Sequence, residues 1–282
     1  MLALWPKPQM AMARWWGCVL AAVLGGWLAG CGPAGDSVAQ SGQAAPAGSV
    51  TKPLTVLVAG ATGRTGRRVV AQLRERGHQV RAFVRDEQRA RERLGEDLEF
   101  VVGDVREPDA LASAFDGVDA VISAIGSSGR TQDPGNTPEA VDYMGVRNLV
   151  DGAAAAGVGR FVLVSSMGVT VAGHPLNQMF DDILQWKYKG EQHLRASGLP
   201  YTIIRPAGLT EDAGGAVGVK LMAEDEGEGF IPRADVATAC IEALQHEAAA
   251  NKTFSMLSDG DSPPGGDWAA RFAAIPVDAA FP

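Results

Sequence analysis

The run GATGRTG at residues 60–66 carries the spacing in this 282-residue chain that points most directly to chemistry. The apolar stretch Val56, Leu57, Val58 and Ala59 leads into it, and a helix-period segment with Val69, Val70 and Leu73 on one face follows. Between a strand and a helix, Gly60 permits a tight turn, Gly63 lets backbone approach a pyrophosphate, and Gly66 allows close packing, while the helix N-terminus stabilises the anion. Thr62, Arg64 and Thr65 share that loop. About 20 residues on, a second strand ends at Arg85, where an acid would hold the ribose 2′-hydroxyl of NAD. A guanidinium there favours NADP(H) over NAD(H), because its paired donors match a phosphate, and Arg64 is expected to face the same group. Asp86 is adjacent and works against that preference.

The elements that must hold this loop are legible in the alternation of β-branched runs with helical periods. It predicts βαβ units and an α/β, Rossmann-like, doubly wound parallel sheet in a single domain with a small C-terminal substrate lobe. Strands are expected at Leu54–Ala59, Gln79–Val84, Leu98–Val102, Ala120–Ala124, Phe161–Val164 and Tyr201–Ile204. Helices are expected to begin near Arg64, Glu87, Pro108, Glu139, Ile183 and Ala234. Strands buried on both faces read as near-continuous apolar runs, as Phe161 to Val164 does. Residues 208–232, rich in glycine and acids, are read as the lobe over the sheet. The NAD(P)-binding domain is placed at 54–260, and 261–282 is read as a tail, mostly loop with a short turn around Trp268–Phe272.

Composition limits the partners. Hydrophobic residues are 46% and charged residues 21%, with 35 glycines, a globular profile. Of 25 Lys and Arg, Lys7 and Arg14 lie in the first 30 residues, so 23 face all 33 acids after Gly30, a net charge of −10. That balance argues against nucleic acid and an anionic membrane surface as main partners, and the partner expected is a small-molecule substrate. The four histidines, His78, His174, His193 and His246, do not fall at metal-ligand spacing, and no metal is expected. His174 lies in HPLN (174–177), in the loop after the fifth strand where such sheets bind ligands, although such a loop is also an ordinary turn. Cys240, among Val236, Ala237, Ile241 and Leu244, reads as a small buried apolar residue.

Several segments together resemble the atypical short-chain dehydrogenase/reductases, in particular the NmrA-like, NAD(P)H-binding subgroup. They are TVLVAGATGRTG (55–66), GDV (103–105), VDYMGVRNLVDGAAAAGVGRFVLVSSMG (141–168), HPLN (174–177), WKYKGEQHLRASGLPYTIIRPAGL (186–209) and IPRADVATACIEAL (231–244). The resemblance implies that Asp104 lies beside the adenine, that Ala124, Ile125 and Gly126 line the nicotinamide-side ribose, and that Arg205 and Pro206 close the cofactor site. It also implies that Ser166 and Lys187 occupy the catalytic serine and lysine positions, Lys187 holding the ribose. The position of the usual proton-donating tyrosine is Ile183. None of the three tyrosines replaces it: Tyr188 is one residue past Lys187, about 100° round the helix, Tyr201 starts a strand, and Tyr143 is in an earlier helix. Reduction of a conjugated acceptor such as a flavin, quinone or linear tetrapyrrole needs no such group, since the cofactor carries the hydride chemistry. The competing expectation is a non-catalytic NADP(H)-binding sensor or scaffold. Lys187 also has a plain alternative, an i,i+4 pair with Glu191.

Ahead of the domain, Lys7 and Arg14 precede an uncharged stretch from Trp15 to Ala29, the layout of a signal peptide over residues 1–30. Leu28, Ala29, Gly30 and Cys31 resemble a bacterial lipobox, with Cys31 as the lipidated residue. This implies export and a lipid anchor, outer membrane favoured with Gly32 after the cysteine; a misassigned leader would leave the protein cytoplasmic. Residues 31–53 read as a flexible linker.

Overall fold

The computed structural model describes residues 52–127 and 133–279. The first half of the chain alternates strand and helix: β1 (Thr55–Ala59), α1 (Gly66–Glu75), β2 (Gln79–Val84), α2 (Glu87–Leu94), β3 (Glu99–Val102) and β4 (Ala120–Ser123). A π-helical turn at Glu139–Gly145 runs into α3 (Val146–Ala155), followed by β5 (Arg160–Val164), α4 (Pro175–Met179), α5 (Ile183–Ala196) and β6 (Tyr201–Pro206). The chain ends with β7 (Gly208–Thr210), β8 (Gly218–Met222), β9 (Phe230–Pro232), α6 (Arg233–Gln245), β10 (Lys252–Asp259) and α7 (Trp268–Ala274).

Eight strands form one sheet in the order β3-β2-β1-β4-β5-β6-β10-β8, parallel except for β8, which runs antiparallel to β10. Strand alternation divides the core in two. Val56 and Val58 of β1 join a cluster with Val69 and Leu73 of α1, Ile241 of α6 and Phe254 of β10. Leu57 and Ala59 point the other way, to Leu149 of α3, Leu194 of α5 and Ile203 of β6. Both faces are covered, which is why the central strands β1, β4 and β5 read as near-continuous apolar runs. The direction of winding reverses between β1 and β4, and such switch points open a crevice at the carboxyl ends of the strands.

Expected strand boundaries lie close to the observed ones, but the C-terminal quarter differs. The region 208–232 divides: β8 becomes the edge strand of the main sheet, while β7 and β9 pair as a separate two-stranded parallel sheet. Residues 261–279 are more than a loop with a turn. Asp267 caps α7 by accepting a hydrogen bond from the Ala270 amide, and Phe272 is fully buried against Phe254, with ring centroids 5.7 Å apart. Asp278 accepts hydrogen bonds from the Thr253 amide, the Thr253 hydroxyl and the Tyr201 hydroxyl. Burial, reinforced by Asp278, pushes the Tyr201 hydroxyl above the ordinary tyrosine range. Cys240 is fully buried on α6, and desolvation pushes its thiol up to about 12, so it behaves as an apolar residue.

One polar group crosses this core. Glu191 of α5 has no exposed surface and receives Arg205 Nε at 3.0 Å and Nη2 at 2.6 Å. Arg195 adds a contact at 3.1 Å to the same carboxylate. On its other side Arg205 lies 3.7 Å from Asp225, in the loop between β8 and β9. Burial opposes the charge on Arg205, but Glu191 outweighs it and holds the guanidinium protonated.

Two stability measurements follow. Phe272→Ala, followed by urea unfolding, is expected to lose about 3–5 kcal/mol, the usual cost of emptying an aromatic core site; a change under about 0.5 kcal/mol would show that α7 is not part of the core. Arg205→Met leaves the buried Glu191 without its two-pronged partner and removes the cation beside Asp225, and is expected to cost about 3–5 kcal/mol. A neutral result would mean that water or another cation takes over.

Candidate functional site

The glycine loop has the geometry that its sequence requires. Gly60 sits at φ +79°, and a Cβ there would lie 2.6 Å from the Ala124 carbonyl oxygen. At Gly66, the first residue of α1, a Cβ would collide with the carbonyl oxygen of Gly60. Any larger residue at either place would separate α1 from the sheet or push β1 away from the end of β4.

Two cavities open at the carboxyl ends of β1, β4 and β5 and share Gly63, Ala124, Ile125 and Gly126 as a common wall. The smaller, about 180 Å³, is bounded by Gly60, Thr62, Arg85 and Asp104, together with Phe83 and Asn136. The larger, about 1190 Å³, takes Arg64, Thr65, Ser166, Lys187 and Pro206 from the expected set. It adds His174, Arg233 and the Asp225–Gly229 loop. The lobes lie on either side of the glycine loop, as a dinucleotide straddling the switch point would require.

Lys187 is the best-defined polar group of the larger lobe. Its Nζ lies 2.7 Å from Asp142 Oδ1, and Asp142, which is buried, accepts the Ser127 amide on its other oxygen at 3.0 Å. A Cβ on Gly126 would be 3.7 Å from that Nζ, so the ammonium stands against the Ala124-to-Gly126 wall. Glu191 is not its partner, because Glu191 is committed to Arg195 and Arg205. Ser166 also faces the larger cavity and donates its hydroxyl proton to the Met167 carbonyl at 3.1 Å.

Two expectations need correction. Arg205 does not line either cavity; only Pro206 does, because the guanidinium turns into the core toward Glu191. Arg64 and Arg85 are not brought together. Arg64 pairs with Glu211 at 3.3 Å on the larger lobe, whereas Arg85 is on the smaller lobe, 3.7 Å from Asp133. Asp104 faces the smaller cavity but is gripped by Arg106 at 2.6 Å and 3.0 Å, bonds that hold its carboxyl below the usual range. Cys31 and the leader lie outside the described residues.

The tyrosines leave the site without a phenol. Among the described residues none of the three lines either cavity: Tyr143 stacks on Trp186 at 6.1 Å, and Tyr201 bonds Asp278. Met222 and Phe230 do not line the cavities either, and Phe230 is exposed. What the sequence did not single out is the pairing of Asp142 with Lys187, whose only signal is an acid in an otherwise apolar helical stretch. It also missed the gathering of Arg64, Arg67, Arg68 and Arg233 around Glu211. Desolvation would raise the Glu211 carboxyl, but Arg233, Arg68 and Arg64 outweigh it and hold it low.

Comparison with known proteins agrees with this geometry. A family model described as NAD(P)H-binding matches residues 60–247. An uncharacterised chloroplastic protein of Arabidopsis thaliana is 41% identical over 253 residues, covering 81% of this chain and 78% of that one. Sanguinarine reductase of Eschscholzia californica is 40% identical over 266 residues, covering 80% and 96%. The structure of a putative NAD-dependent epimerase/dehydratase from Bacillus halodurans superposes with a TM-score of 0.67 at 29% identity, covering 75% and 96%. The expectation of export behind a lipid anchor is overturned by these relatives, among which plant chloroplastic proteins recur. Among the described residues no helix is long and apolar enough to cross a membrane. With the family model covering residues 60–247, most of the folded part, the chain belongs to the NAD(P)H-binding family of Rossmann-like oxidoreductases.

Proposed function

We propose that this protein is an NADP(H)-dependent reductase of a small conjugated acceptor such as a flavin or quinone. The observation that carries the reading is the pair of adjoining cavities at the glycine loop, one bounded by Arg85 and the other, of about 1190 Å³, by Lys187 and by no tyrosine among the described residues. The fit to a dinucleotide rests on Gly63, which has no side chain where the two lobes meet. In this reading Gly60, Thr62, Gly63, Thr65 and Gly66, with the N-terminus of α1, take the pyrophosphate. Asp104 flanks the adenine, and Ala124, Ile125 and Gly126 support the nicotinamide-side ribose. Lys187 holds that ribose, its ammonium fixed by Asp142. Ser166 and Arg64 meet the acceptor side.

Selection of NADP(H) is assigned to Arg85, whose side chain is 61% exposed at the end of β2. The neighbouring acid does not compete for the ribose, because Asp86 accepts the Arg89 amide at 3.0 Å and so caps α2. When bound, the nicotinamide supplies a hydride. The open cavity admits water, which supplies the proton. A relative named as a reductase of sanguinarine supports reduction of a small acceptor. The missing tyrosine also favours a second reading, a protein that binds NADP(H) without turnover.

Fluorescence titration with NADPH, NADH and their oxidised forms tests the proposal. Arg85→Ala is expected to weaken NADPH binding about tenfold, as loss of a charge-assisted bond predicts, while NADH stays within about twofold. Equal binding of NADPH and NADH, unaffected by the substitution, would remove Arg85 from that role. Absence of all nicotinamide binding would overturn the reading. Tight NADPH binding with no reduction of flavins or quinones would favour the non-catalytic protein.

A further inference from the structure

His174 lies on the wall of the larger cavity, which no tyrosine lines among the described residues, and its surroundings define what it can do. The ring lines that cavity and is half-buried. Its Nδ1 accepts the Leu176 amide at 3.2 Å, closing the first turn of α4. A nitrogen that accepts cannot carry the ring proton, so the neutral imidazole holds its hydrogen on Nε2 as a donor. Among the described residues no protein acceptor takes that Nε2.

The seat of the ring is also constrained. Gly168, at φ +88°, presents no side chain to His174: a Cβ there would lie 2.8 Å from Cδ2 and 2.9 Å from Nε2. The Gly168 amide is fixed to Asp225 at 2.8 Å, and Asp225 also accepts the Thr170 amide and hydroxyl. Imidazole and loop are therefore held together, with Ser166 on the same wall.

We infer that His174, as a neutral Nε2–H donor, binds the carbonyl oxygen of the acceptor and stabilises the negative charge that reaches it during reduction. This rests on the reductase reading above. A bound NADPH would supply the hydride, becoming NADP⁺, to the acceptor position conjugated with the carbonyl. The displaced electron pair moves onto the carbonyl oxygen, facing the Nε2–H, and a water in the open cavity then supplies the proton. Imidazole remains neutral throughout, so no proton is needed from Nδ1 and the Leu176 bond persists. A neutral imidazole is a competent electrophile of this kind.

The experiment compares the full-length protein with its His174→Asn and His174→Ala variants. Asn is a good helix cap and keeps an acceptor for the Leu176 amide, but it cannot reach the cavity as the imidazole does. If His174 is the donor, both variants lose about 10²- to 10³-fold in kcat with menadione as acceptor, with little change in its KM or in the NADPH Kd. If it only caps α4, Asn keeps the wild-type kcat and Ala alone falls, which overturns the inference. A second readout needs no turnover: ¹H–¹⁵N correlation spectra of the ligand-free protein are expected to show the Nε2–H form for His174, and an Nδ1–H form would overturn it. Wild-type protein that binds NADPH but reduces neither menadione nor flavin would overturn the reductase reading and this role with it. Wild-type turnover matched by His174→Asn would remove this role alone.

Discussion

A buried arginine needs its counter-charges, and here that requirement reaches from the middle of the sheet to the rim of the cleft. Arg205 of β6 is 5% exposed and lies between Glu191 of α5 and Asp225 of the β8–β9 loop. Removing one charge from such a group leaves the others without compensation, which costs far more than an exposed pair contributes. Three elements distant in sequence are therefore tied to one side chain. Asp225 passes the constraint on by accepting the amides of Gly168 and Thr170, so the loop after β5 is held at the cavity wall. On the same helix as Glu191, Lys187 is one turn earlier and reaches Asp142.

The cleft is the product of two kinds of constraint. Near the glycine loop the determinants are steric: Gly60 and Gly66 let β1, α1 and the end of β4 approach closely, and no side chain larger than hydrogen fits. On the acceptor side they are electrostatic, because the wall is built from loops that the sheet alone would not order. This division suits a reductase that must bind its dinucleotide precisely while leaving the acceptor cavity open to water.

The first of these constraints was legible in the sequence and the second was not. Local signals sufficed for β1 to β6, for the starts of α2 and α5, and for the glycine loop, since hydrophobic period and turn residues determine them within a few positions. Lys187 was located by its family pattern, but its acidic partner was not legible, because Glu191 at i+4, the plain alternative, is only one of the acids the fold brings near. Asp142, 45 residues away in sequence, prevails since it is buried beside the ammonium and pairs with no other cation among the described residues. Arg205 was assigned to the cleft by the family resemblance, which does not show that Glu191 waits beneath it. The final strand and helix were missed because Lys252–Asp259 mixes polar with apolar residues. Phe272 becomes a core residue only once β10 has supplied Phe254. The leader showed the opposite failure, a local pattern that was clear in itself and contradicted by the chain's relatives.

Amide hydrogen exchange at Gly168 and Thr170, in wild type and in Asp225→Ala, tests the central claim most directly. If the buried ion network positions the cavity wall, both amides are protected in the wild type and exchange rapidly in the variant, while β1 and α1 stay protected. Unchanged protection at both amides would show that the wall is held by something other than Asp225, and the link from Arg205 to the site would fail.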